Sequence, residues 1–204
     1  VTTDRHLPLA RLAAASVRGD APSVLAAARD ALAAGCAEDE VREALRMVHL
    51  FAGFPRALDA CASAAPALGR PRPEPEPADE GAAHRAFRER GRRLFDRVYG
   101  PDAPKVHERL VALDPELTAW VLEDAYGRVL SREALPPAQR ERLAVVLLAS
   151  QGLRNQLSGH VRGALRCGAT PAEVEASLAE AAPWIGSGDL EAARTALRKG
   201  LGSG

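Results

Sequence analysis

The chain has 204 residues, of which 47% are hydrophobic and only 4% aromatic. That is enough apolar material for one large domain or two small ones with a proper core. Lys plus Arg number 27 and Asp plus Glu number 27, so no basic stripe marks a nucleic-acid surface and no polybasic tail suggests a membrane face.

Ala, Leu, Arg and Glu dominate, and these are the best helix formers. Runs rich in Val, Ile, Thr and aromatics are nearly absent, so the expected fold class is all-α. In chain order, the first block spans about 7–68, with helices expected at 8–18, 22–34, 38–51 and 55–68. Gly19-Asp20, Gly35 and Gly53-Phe54-Pro55 punctuate them; Gly past a helix end and Pro at a helix start are the usual signals. "LPLARLAAASVRGDA" faintly resembles a signal peptide, but Arg11 interrupts its apolar part and the helical pattern continues beyond it.

The chain then breaks at "GRPRPEPEPADEG", Gly69 to Gly81. Prolines at alternate positions cannot continue a helix and favour polyproline II. This predicts an N-terminal helical unit at 1–69, a Pro-rich linker at 70–81 and a C-terminal unit at 82–204. In the last, helices are expected at 82–98, 103–112, 115–128, 137–150, 153–167, 171–182 and 188–199. Thr170 followed by Glu173 has the form of a capping box. The longest apolar run, Leu143 to Ala149, is far too short to span a bilayer.

The two blocks repeat each other. "RDALAAGCAEDEVREAL", Arg29 to Leu45, aligns without a gap with "RGALRCGATPAEVEASL", Arg162 to Leu178, at an offset of 133 positions. In the same register Phe51 meets Trp184, and Gly53 meets Gly186. The blocks are expected to be diverged copies of one helical unit.

The chemistry-bearing stretch is "QLSGHVRGALRCG", Gln156 to Gly168. Gln156 and His160 are spaced i and i+4 and share a helix face. Glu141, in the helix before, can come near His160 if the two helices form a hairpin. A carboxylate beside an imidazole is a standard acid–base pair. Read alone, such a histidine is more often structural than catalytic, and Glu141 can simply favour a helix N-terminus. Cys36, Cys61 and Cys167 include no Cys-x-x-Cys pair. Their odd count fits a reducing cytoplasm, and each is expected to be a small buried hydrophobe. His6, His84 and His107 are expected at the surface, His49 in the core, and Trp120 and Trp184 as packing anchors.

"YGRVLSREALPPAQRERLAVVLLASQGLRNQLSGHVRGALRCGATPAEVEASL", Tyr126 to Leu178, resembles the carboxymuconolactone decarboxylase family. "VHLFAGFPRALDA" in block one is similar to the segment that follows the acidic helix in single-unit members. The resemblance implies a tandem, diverged double unit covering nearly the whole chain, assembled as a homo-oligomer, a trimer or dimer of fused units. It turns the reading of His160 and Glu141 toward catalysis and implies no metal and no cofactor. The substrate implied is a small acid or lactone such as γ-carboxymuconolactone, an intermediate of aromatic catabolism. Gln156 would hydrogen-bond it, Arg128, Arg132 or Arg140 would clamp its carboxylate, and Trp184 would wall the cavity.

A second branch of the superfamily, resembling the alkyl hydroperoxidase D proteins, uses a Cys-x-x-Cys pair between Glu and His. Those positions fall on Leu153 and Gln156, and neither can exchange disulfides. The first copy carries Ala27, Ser23 and Pro8 where the second has His160, Gln156 and Glu141. At most one site per chain is therefore expected. A third possibility is a non-catalytic small-molecule binding or assembly protein of the same fold.

Overall fold

A computed structural model describes residues 4–71 and 79–201, and every regular element among them is helical. The polyproline expectation for the linker falls largely on 72–78, outside the described residues. The chain forms two compact units, 1–69 together with 134–204, and 70–133. They do not coincide with the two sequence blocks, because helices of the first block pack against helices after residue 134.

The first unit contains α1 (Leu7–Arg18), α2 (Ala21–Ala33), α3 (Glu38–Ala64), α7 (Pro137–Gln151), α8 (Arg154–Arg166), α9 (Pro171–Ala181) and α10 (Ser187–Leu201). Here the repeat is visible in three dimensions. Shifted by 133, α2 matches α8 at both ends and α3 starts where α9 starts. Gly35 and Gly168, equivalent positions, both follow helices with positive φ, at 91° and 106°. That left-handed conformation suits glycine. At Gly53 (φ 81°, ψ 164°) the backbone leaves the helical conformation, so α3 is the expected pair of helices meeting at a sharp kink, with Pro55 just beyond. The second copy breaks fully at the equivalent place, giving separate α9 and α10. The expected capping box holds: Glu173 N donates to Thr170 Oγ1 at 3.2 Å, and Thr170 N donates to Glu173 Oε2 at 2.7 Å.

The core helix is α7. Every residue from Gln139 to Ser150 is buried, as expected for a helix packed on all sides. The run Leu143–Ala149 fills the centre, with no member more than 3% exposed. Each such Leu or Val contributes roughly 1.5–3 kcal/mol on burial. α1 and α3 of the first copy and α8 and α9 of the second pack around it. Charged side chains tie the chain start to this core. Arg142 donates to Asp4 at 2.5 Å and to Ser177 Oγ at 3.0 Å. Arg5 and His6 both reach Glu40, so His6 is half-buried in an ionic cluster rather than a free surface residue. His49 is likewise half-buried, stacked on Phe54.

The second unit contains α4 (Glu80–Tyr99), α5 (Ala103–Leu113), α6 (Pro115–Trp120) and a π-helical segment, Val121–Leu130. The single helix expected at 115–128 is thus α-helical only in its first part. α4 and the π segment cross at two glycines. A methyl added to Gly91 would lie 1.8 Å from the Leu122 carbonyl oxygen, and one on Gly127 would lie 2.1 Å from that of Phe87. Only glycine permits this approach. Trp120 is not the expected packing anchor: it is 56% exposed. Cys61, in the first unit, is also exposed, while Cys36 and Cys167 are buried as expected. Among the described residues no helix is long and apolar enough to cross a membrane.

Candidate active site

The turn Gln151–Leu153 folds α8 back on α7. Gly152 makes it with φ 70°. The hairpin brings Glu141, in the first turns of α7, beside His160, near the middle of α8. His160 Nδ1 lies 2.9 Å from Glu141 Oε2. Both side chains are buried, at 8% and 2% exposure. An ionised carboxylate only accepts hydrogen bonds, so this contact fixes the proton on Nδ1. Nε2 then remains for exchange with another molecule.

The wall beside the imidazole comes from the other copy. Phe51 of α3 meets His160 edge-on, with ring centroids 5.9 Å apart at 75°. The exchange is reciprocal. Trp184, the equivalent of Phe51, lines a cleft of about 490 Å³ with Ser23, Ala27, Asp30, Glu180 and Arg11. Ser23 and Ala27 are the first copy's equivalents of Gln156 and His160. The two copies therefore cross: each supplies the aromatic wall to the other's second helix. Trp184 does not wall the His160 site, because its segment packs on α1 and α2. A methyl built on Gly19 would come within 3.0 Å of its indole Nε1.

Arg140 lies buried between α7 and α3. Its guanidinium is 1% exposed and donates to Glu43 Oε2 at 2.9 Å and to the Leu135 carbonyl at 3.2 Å. Glu43 also pairs with Arg46. These bonds knit α7 to α3. Gln156 shares the His160 side of α8 but is exposed. Arg128 and Arg132 belong to the second unit. There Arg128 lies over the Phe87 ring at 5.0 Å and 3.8 Å from Asp124. Arg132 is half-buried.

Phe51 opens "FAGFPRALDA", the first-copy segment that the sequence offers as an alternative wall for the second copy's pocket. The available signal was the repeat register, which pairs Phe51 with Trp184. Cysteine chemistry has little footing in this geometry. None of the three cysteines is in a disulfide, and burial pushes the Cys36 thiol up to about 11, which suppresses the reactive thiolate.

The sequence model of the Carboxymuconolactone decarboxylase family matches residues 4–66 and 115–199. Over 142 residues the chain is 29% identical to Peroxisomal protein 2 of Schizosaccharomyces pombe (strain 972 / ATCC 24843). That match covers 66% of this chain, which spans 63% of the relative's length. With both copies matched, and Glu141 paired to His160 in the second, the chain belongs to the carboxymuconolactone decarboxylase family.

Proposed function

We propose that the protein is a cofactor-free carbon–carbon lyase, decarboxylating a small carboxylated lactone such as γ-carboxymuconolactone or a related unsaturated acid. The observation that carries the reading is the buried Glu141–His160 pair at 2.9 Å. In the reaction the bond between the carboxylate and the ring carbon breaks and CO2 leaves. The electron pair delocalises into the unsaturated lactone carbonyl. A proton then returns to carbon, restoring charge balance.

His160 supplies that proton. In its protonated form it carries N–H groups at both nitrogens. Glu141 holds the one at Nδ1 and stabilises the cation, so Nε2–H is the donor. Phe51 presents an apolar edge beside the ring. A dry wall there strengthens charge interactions at the reacting atoms and disfavours a solvated carboxylate.

The carboxylate clamp in this reading is Arg46 rather than Arg140. Arg46 is the repeat equivalent of Ala179, which lines the Trp184 cleft. It therefore corresponds to a position at the mouth of the His160 site. Its side chain is 38% exposed, and Nη1 pairs with Glu43, leaving Nη2 for a substrate oxygen. A guanidinium suits a carboxylate through its planar fork.

The same reading has the chain act as a homo-oligomer, without nucleic-acid or membrane partners, in a reducing compartment such as the cytoplasm. A peroxisomal location, which the relative's name gives for that protein, is the other outcome of a localisation experiment. Loss of lactone ultraviolet absorbance tests the assignment. Wild type should turn over, and Arg46→Gln should raise KM with a smaller effect on kcat. An unchanged KM would remove Arg46 from the site.

A further inference from the structure

The Trp184 cleft is the first copy's counterpart of the His160 site, with its chemistry exchanged. By the repeat register, Ala27 stands where the other site has His160, and Ala179 where it has Arg46. Neither alanine can move a proton or hold an anion. Three charged residues line the cleft instead: Arg11 from α1, Asp30 from α2 and Glu180 from α9. Their equivalents on the other side are Ala144, Gly163 and Met47, none of which carries charge. The duplication kept a cavity walled by an aromatic ring and reversed what the cavity presents.

Arg11 stands between the two carboxylates. Its Nη1 lies 2.6 Å from Asp30 Oδ2, and its Nη2 pairs with Glu180 Oε1. Asp30 Oδ1 and Glu180 Oε2 take no part in these contacts. One guanidinium thus serves two carboxylates, and the charged residues of the lining sum to one negative charge. The rest of the wall is largely apolar, with Ala26, Pro183 and Trp184 prominent in it. The cavity, about 490 Å³, lies within the usual size of small-molecule pockets, roughly 300–1,000 Å³. A hard metal ion needs a shell of oxygen ligands, which two carboxylates shared with a guanidinium and set among alanines do not supply. An ammonium group on a short apolar body suits the cleft better. Its charge meets the spare carboxylate oxygens, and indole is the aromatic ring best suited to a cation.

We infer that the Trp184 cleft binds a small organic cation, an amine or quaternary ammonium ion, between Asp30, Glu180 and the indole. This site is separate from the Glu141–His160 pair and does not depend on the decarboxylase reading.

The test uses fluorescence. The chain has two tryptophans, and Trp120 is 56% exposed in the second unit, so Trp120→Phe leaves Trp184 as the reporter. This full-length background is titrated with tetramethylammonium and, separately, butylammonium, at an ionic strength held constant with sodium chloride. One saturable change is expected, and the tighter probe distinguishes the quaternary from the primary cation. Glu180→Gln and Asp30→Asn should each weaken binding about fivefold, the upper scale of one exposed charge pair. Arg11→Gln should tighten it by about the same factor, because the competing guanidinium is removed. Ala26→Leu leaves all three charges in place but fills the cleft, and should abolish binding. Circular dichroism establishes that each variant is folded. The inference is overturned by no saturable change with either cation, by an equal response to sodium alone, by weaker or unchanged binding in Arg11→Gln, or by unchanged binding in Ala26→Leu.

Discussion

Arg140 and Glu141 are neighbours on α7, yet each is committed to a different partner. Glu141 faces His160, and Arg140 faces Glu43. The second pair is structural and deeply buried. Removing one member leaves an uncompensated charge, so Glu43→Gln should cost about 3–5 kcal/mol in urea unfolding. Arg140→Met in the same background should recover much of that loss; no recovery would show that the two side chains are not coupled. Glu141→Gln keeps the shape but removes the charge that stabilises imidazolium. It should lower kcat by about 10²–10⁴ while leaving the fold intact. At the chain start, burial pushes the Glu40 carboxyl up, but hydrogen bonds from Arg5 and His6 outweigh it and hold the group at about 2. A depressed carboxyl contributes stability above its unfolded value, near 4.5, and loses it as pH falls toward 2. The stability difference between wild type and Glu40→Gln should be full at pH 6 and vanish near pH 2. A constant difference across that range would contradict this origin. Sequence spacing placed Gln156 and His160 on one side of a helix, but not Arg140's choice of partner. A buried ion pair between residues nearly a hundred positions apart leaves no local pattern.

The helices themselves were largely legible, because their boundaries rest on local chemistry. Asp20 accepts from Ser23 N, Asp114 accepts from Leu117 N, and Thr170 closes its capping box. The break expected at Gly53 is there: its backbone, at φ 81° and ψ 164°, is non-helical, and Pro55 begins the next helical turn, where a missing N–H need not be paired. One element was not legible. The end of the helix expected at 115–128 is π-helical, and its hydrophobic spacing alone does not distinguish the two windings. The glycines inside those expected helices were the available sign of a close crossing. Gly91→Ala and Gly127→Ala should each destabilise the second unit by about 1–3 kcal/mol or more, since backbone rather than a flexible side chain stands in the way. Hydrogen exchange should show the loss in α4 and the π segment. Wild-type protection in both variants would refute the close approach.

At the scale of the molecule, the repeat explains why one chain can carry one site. The second copy keeps the Glu–His pair, and the first copy provides its wall through Phe51. Composition and register revealed the duplication and offered the first copy's "FAGFPRALDA" as a wall for the second copy's pocket, but not the reciprocal crossing. Crossing depends on which copy's helices surround α7, and nothing in a one-dimensional register states that. Copies that exchange walls do not function separately. Phe51→Ala should therefore impair a site whose catalytic pair lies in the other copy, lowering kcat/KM about tenfold or more through the opened, wetter wall. Activity equal to wild type would mean that the crossing has no catalytic part. Light scattering checks the expected assembly, with a dimer or trimer supporting it and a monomer excluding it.

The most direct test of the central claim is CO2 release from γ-carboxymuconolactone by wild type and His160→Ala, both shown folded by circular dichroism. The account predicts stoichiometric CO2 from wild type and a fall of about 10²-fold or more in the variant, the scale of a lost general acid. Equal release from both proteins, or none from wild type, would contradict it.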